Sequence, residues 1–142
     1  MVVDKVRTKM NFPAFFPDDC PPPDCEDFKG VFYHFVRGKI DNPENFVPYA
    51  ILENDYSILK GVDCQKCGLS MLRTLAAAEL YWRMPNLRSK NLAKGTLSSE
   101  YGKLKNTPTH KSSEHYTFWV FDGINISQYF EVICESNNGN HS

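Results

Sequence analysis

The sequence predicts an α+β domain in which a mixed or mainly antiparallel sheet carries one principal helix, at about residues 75–84, behind a proline-rich N-terminal arm. Three observations predict it. Two segments, GVFYHFVRGK (30–39) and EHYTFWVFDG (114–123), are dense in β-branched and aromatic residues and are punctuated by glycine, the composition of strands. One segment, Thr74 to Met84, joins a good capping residue to a run of helix formers and stops at Pro85. The order strand, helix, several strands leaves too few helices to cover a doubly wound parallel sheet.

The totals agree with one folded unit. A chain of 142 residues has the length of a single core, and 42% hydrophobic residues with ten Phe, seven Tyr and two Trp exclude a disordered composition. Sixteen basic against seventeen acidic side chains leave a net charge of -1, so no overall field draws the protein to nucleic acid or to an anionic membrane. No apolar stretch is long enough for a membrane span, and the opening MVVDKVRTKMNF has no signal-like apolar run. A soluble cytoplasmic protein is the expectation. Five cysteines cannot all pair, and in a reducing compartment they are expected as thiols.

Taken in order, residues 1–28 form the arm. Pro13, Pro17 and Pro21 to Pro23 break any periodicity, and Phe12, Phe15 and Phe16 could either anchor it on the body or bind a partner. The body is expected over 29–135. In its first strand Val31, Tyr33 and Phe35 alternate with Phe32, His34 and Val36, so both faces are covered and the strand is central. Residues 41–63 hold two prolines and several turn formers, and read as a long surface segment with a short helical turn. In the helix, Ala77, Leu80, Tyr81 and Met84 make the stripe predicted to be buried, with Glu79 and Arg83 outward. Strands follow at 91–97 and 103–109 around the turn SSEYG, then at 114–121 before the Asp122-Gly123 turn, and last at 129–134 as an edge or closing strand. The tail 136–142 has nothing to bury and is expected to be disordered.

Chemistry narrows to a few residues. Glycine-rich phosphate loops, G-x-S-x-G, HExxH and EF-hand patterns are absent from the sequence. Cys64-x-x-Cys67 has the spacing of half a zinc site, but three prolines between Cys20 and Cys25 favour extended backbone that holds those sulfurs apart, and His110 with His115 would need a sharp bend to supply the other half. No metal is expected, with Cys64 and Cys67 as the ligands should zinc be found. A redox role fits poorly too, since the pair lies short of the helix N-terminus that would lower a thiol pKa. Basic residues cluster at Arg83, Arg88, Lys90 and Lys94 and at Lys103, Lys105 and Lys111, near Tyr81, Trp82 and Tyr101; with so little net charge they read as solvated faces and not as a nucleic-acid surface. His34 and His115 stand out because each sits mid-strand among aromatics, where a polar ring must find a partner. They are either core histidines bonded to backbone or ligand-binding groups facing one cleft, with Ser70 at the corner before the helix and Tyr116 beside them.

Read together, FYHFV, GLSMLRTLAAAEL and HYTFWV resemble a little-characterised group of small bacterial domains patterned as an aromatic strand with Arg or His, G-[IL]-S with a helix, and H-Y-T-x-W. The order of elements also resembles the ADP-ribosyltransferase fold, in which groups on the first two strands and a later Glu surround NAD. That resemblance implies His34 as the group that positions a ribose, Ser70 as the second and Glu131 as a candidate catalytic acid, with NAD as substrate and no resident cofactor. Ser70 lacks an aromatic neighbour in its corner to stack on nicotinamide, so binding without catalysis stands beside transfer. Two readings result: a nucleotide- or NAD-binding domain lined by His34, Ser70, His115 and Tyr116, or a non-enzymatic module that captures a protein partner through the arm or exposed aromatics.

Overall fold

The structure is a computed structural model that describes residues 12, 13, 16, 17, 19–48 and 64–136. The outer arm, Phe15, the second half of the long surface segment and the tail from 137 lie outside the described residues. Six strands form one antiparallel sheet: β1 (Lys29–Val36), β2 (Leu69–Leu72), β3 (Asn91–Ser98), β4 (Gly102–Asn106), β5 (His115–Val120) and β6 (Phe130–Cys134), in the order β4-β5-β2-β1-β3-β6. One helix, α1 (Leu75–Trp82), packs on one face. Short 3₁₀ turns occupy Pro43–Phe46, Cys64–Cys67 and Ile126–Tyr129.

Strand β1 is central, as its two covered faces predict. It runs in full register with β3, from Lys29↔Ser98 to Val36↔Asn91. Against β2 it shares only the register pair Tyr33↔Leu72. The sheet is therefore two three-stranded halves, β4-β5-β2 and β1-β3-β6, joined at a narrow seam. Side chains stitch that seam on both sides of the shared pair: Arg73 donates to the Val31 carbonyl at 3.2 Å while its guanidinium lies over the Phe32 ring, and His34 reaches the Ser70 carbonyl at 2.8 Å.

Alternation within the strands sets two cores. Phe32, Val36, Leu69, Met71, Leu97 and Phe118 point to one face and meet Ile126 and Phe130; each large side chain so buried contributes roughly 1.5–3 kcal/mol. On the opposite face Leu72 and Leu92 receive α1. Thr74 caps that helix as its sequence predicts, its Oγ1 accepting from the Ala77 amide at 3.1 Å. The buried stripe differs from the predicted one. Ala77 and Ala78 face the sheet with Tyr81 and Trp82 beside them, whereas Leu80 is 39% exposed. Two adjacent alanines let the short helix sit close to the sheet, and the trailing indole fixes its far end by donating to the Lys90 carbonyl at 2.8 Å.

The cysteines behave differently from expectation. Cys20 and Cys64 form a disulfide across a sequence separation of 44, so the reading of five thiols is corrected; Cys25, Cys67 and Cys134 lie outside it. Cys64 is brought to the arm because its carbonyl accepts from the Trp119 indole at 2.9 Å, which fixes the Cys64–Cys67 turn against β5. The described part of the arm belongs to the body. Phe12 packs on Phe16 and Phe121, Glu26 bonds the Leu104 carbonyl through its amide at 3.0 Å, and Asp24 pairs with Lys105 at 2.9 Å. No helix of the described residues is long and apolar enough to cross a membrane.

Candidate functional site

Where β1 and β2 part beyond Tyr33↔Leu72, a cleft of about 510 Å³ opens. Its position in the seam explains a lining that strand alternation alone would forbid: the consecutive residues Tyr33, His34 and Phe35 of β1, and Leu69 and Ser70 of β2, all border it. The 3₁₀ turn after β1 supplies Glu44 and Asn45, the turn before β2 supplies Gln65 and Lys66, and Tyr81, Met84, Leu87 and Lys90 close it from α1 and the chain beyond.

Three residues singled out in the sequence converge here. Ser70 is gripped from both sides, its carbonyl by His34 and its hydroxyl by His115. His34 Nδ1 lies 2.8 Å from the Ser70 carbonyl and Nε2 2.7 Å from the Asn45 carbonyl, while its ring stacks on Phe46. Both partners are acceptors, so a neutral ring with one N–H serves one of them and an imidazolium serves both. Burial holds the His34 pKa below the ordinary 6.5, against the upward pull of those two carbonyls. Asn45 is itself fixed: its amide nitrogen donates to the Arg37 and Lys39 carbonyls, and its Oδ1 accepts from the Arg37 amide at 2.7 Å.

His115 has a defined tautomer. Its Nδ1 lies 2.9 Å from the Thr107 carbonyl, an atom that only accepts, and 3.1 Å from the Thr107 hydroxyl, which can accept from Nδ1 while donating to Thr117, so both contacts are met when Nδ1 carries the hydrogen. The Nε2 lone pair is then turned to the Ser70 hydroxyl, 3.1 Å away. Burial pushes the His115 pKa down, against the upward pull of the Thr107 carbonyl, and so favours the neutral ring. Thr107 is held by its hydroxyl on Thr117 at 2.8 Å and by its amide on the His115 carbonyl at 3.0 Å. Tyr81 lies beside the His115 ring and is hydrogen-bonded through its hydroxyl to Thr109.

The cleft lining also carries positive charge. Arg37 and Lys90 both border it, neither is in an ion pair among the described residues, and Lys90 is held below its ordinary pKa by burial and then by Arg37. Two cations close enough to act on one another, with no ion pair to either among the described residues, offer positive charge to an anion. Glu44 is the acid of the lining.

Other predicted residues fall elsewhere. Tyr116 turns to the opposite face, where it meets Phe32 edge-on with centroids 5.6 Å apart. Glu131 is exposed on β6, opposite Lys94 at the edge of the sheet, and does not border the cleft. Among the described residues no group of three or more His, Cys, Asp or Glu is arranged to hold a metal ion. Sequence reasoning missed Asn45, Thr107 and Arg37. Asn45 and Thr107 act through backbone carbonyls, which no residue type announces, while Lys90 is read from the sequence only as part of a basic cluster and Tyr81 as part of the helix stripe and its aromatic neighbours. Compared with known proteins, the chain matches no family model, no curated protein and no solved structure, so the meaning of the cleft rests on its own geometry.

Proposed function

We propose that the cleft binds a nucleotide of the NAD class, with the phosphates at Arg37 and Lys90 and the ribose near His34 and Ser70. One observation carries the reading: two cations with no ion pair among the described residues border an aromatic-lined cleft that a first-strand histidine and a second-strand serine also border. Those two positions are the ones the resemblance to ADP-ribosyltransferases implies for ribose contacts. The cleft is of a size for a small ligand, and Tyr33, Phe35 and Tyr81 offer ring surface for a base. The third expected group, Glu131, is remote from the cleft, so the reading is of binding and not of ADP-ribosyl transfer. The alternative, capture of a protein partner by the arm, has less to draw on, because Phe12 and Phe16 pack against the body.

The test is thermal and calorimetric titration with NAD and ADP-ribose. A ligand at a hundred times its Kd stabilises by about 2.7 kcal/mol. Arg37→Ala and Lys90→Ala should each weaken binding about tenfold, the worth of one charge-assisted contact. Absence of any shift with either nucleotide refutes the proposal.

A further inference from the structure

We infer that Ser70 is an activated nucleophile, with His115 as its general base, and that the cleft acts on carboxylic esters whose leaving groups depart as stable anions. Three features place this above an ordinary hydrogen bond. Ser70 is an exposed residue that lines the cleft while its base is only 6% exposed, so a ligand in the cleft meets the serine and water is largely kept from the imidazole. The Thr107 carbonyl fixes the imidazole with Nδ1 protonated and Nε2 bare, and Nε2 is 3.1 Å from the Ser70 oxygen, within reach for proton transfer. The serine backbone is in turn fixed, by register with Thr117 on β5 and by His34 on its carbonyl. Nucleophile, base and orienting acceptor thus form one chain, the arrangement that recurs in serine hydrolases on unrelated folds.

The orienting group sets the substrate class. A backbone carbonyl stabilises the developing imidazolium less than a carboxylate does, so the pair suits aryl esters and thioesters rather than amides. The Ser70 oxygen attacks the carbonyl carbon as its proton passes to His115 Nε2 and the C=O pair moves to oxygen. Collapse of that intermediate restores C=O and breaks the bond to the leaving group, which departs as its anion, and the imidazolium of His115 releases its proton to solvent, leaving acyl-Ser70 and a neutral base. Water then repeats the sequence: its proton goes to Nε2, its oxygen joins the acyl carbon, and the serine oxygen departs and recovers the proton. The carboxylic acid is released and no other reactant is needed. The inference stands on the hydrogen-bond chain and not on the identity of the bound ligand.

The probes are a biotinylated fluorophosphonate, mapped by peptide mass spectrometry, and p-nitrophenyl acetate. The expected result is a single adduct on Ser70 and release of p-nitrophenol about 100-fold faster than with Ser70→Ala, the lower end of what a positioned base supplies. The rate should rise with pH through one ionisation below 6.5 and then level, because neutral His115 is the active form. His115→Gln should remove the acceleration; if that variant does not fold, the wild-type pH profile decides. An adduct elsewhere, equal rates in Ser70→Ala, or a rate that climbs with hydroxide without levelling overturns the inference. Nucleotide titration is a separate readout, so failure there leaves this result standing and the converse also holds.

Discussion

Replacing His34 by phenylalanine isolates what the imidazole nitrogens contribute to the seam. The ring of His34→Phe keeps the stack on Phe46, whose centroid lies 4.9 Å away, and keeps the contact with Phe130. What is lost is the link from β1 to the carbonyls of Ser70 at 2.8 Å and Asn45 at 2.7 Å. A neutral ring donates once, so one hydrogen bond disappears, worth about 1 kcal/mol. The Ser70 carbonyl faces the cleft and can take water in its place. The Asn45 carbonyl belongs to a buried residue and loses its partner at a cost of about 1 kcal/mol more. The expected destabilisation is therefore about 2 kcal/mol, read as a lower urea midpoint at unchanged slope and as a fall of about 6 °C in Tm. Loss of less than about 0.5 kcal/mol would show that neither carbonyl depends on this ring, and the account of His34 as a tie would fail with it.

Two further outcomes follow from the same structure. Reducing the Cys20–Cys64 disulfide, or replacing Cys20 by serine, opens a loop of 44 residues; chain-entropy reasoning puts the loss at about 4 kcal/mol. Urea denaturation with and without a reductant measures it, and coincident curves would refute a stabilising bridge. Burial holds His34 and His115 below the ordinary histidine value of 6.5, so the unfolded chain takes up protons first as the pH falls. Stability is then complete above about pH 6.5 and declines below it, by up to about 1.4 kcal/mol per pH unit for each ring. His115→Gln should flatten that slope, and a midpoint that stays level from pH 7 to pH 5 would contradict the burial of both rings.

Much of this fold can be read along the chain because its strongest elements are local. The alternation in HYTFWV, the glycine-bounded aromatic run at 30–39 and Thr74 before an alanine-rich segment are patterns within one element, and each element forms where its pattern lies. His34, Ser70 and His115 were legible for a related reason: polar groups among apolar neighbours need partners, and here two of them find the third. What could not be read depends on distance. The disulfide joins residues 44 apart through the Trp119 bond to Cys64, a tertiary contact without a spacing signature. The exposure of Leu80 follows from which small face the helix turns to the sheet, and helical periodicity allows more than one face. Glu131 is a strand residue, as expected, but β6 pairs with β3 at the far edge of the sheet, and no local signal fixes strand order.

The seam between β1 and β2 makes occupancy of the cleft a mechanical matter. An antiparallel sheet is ordinarily tied by continuous ladders, and its amides exchange with solvent at free energies near that of global unfolding. Here, beyond the apolar core that both halves share, a single register pair, Tyr33↔Leu72, and the side chains of Arg73 and His34 supply the polar ties between halves. A molecule held by residues of both strands adds a third tie. Its binding energy would slow hydrogen exchange across β2 and β5 together, turning a hinge into a plate.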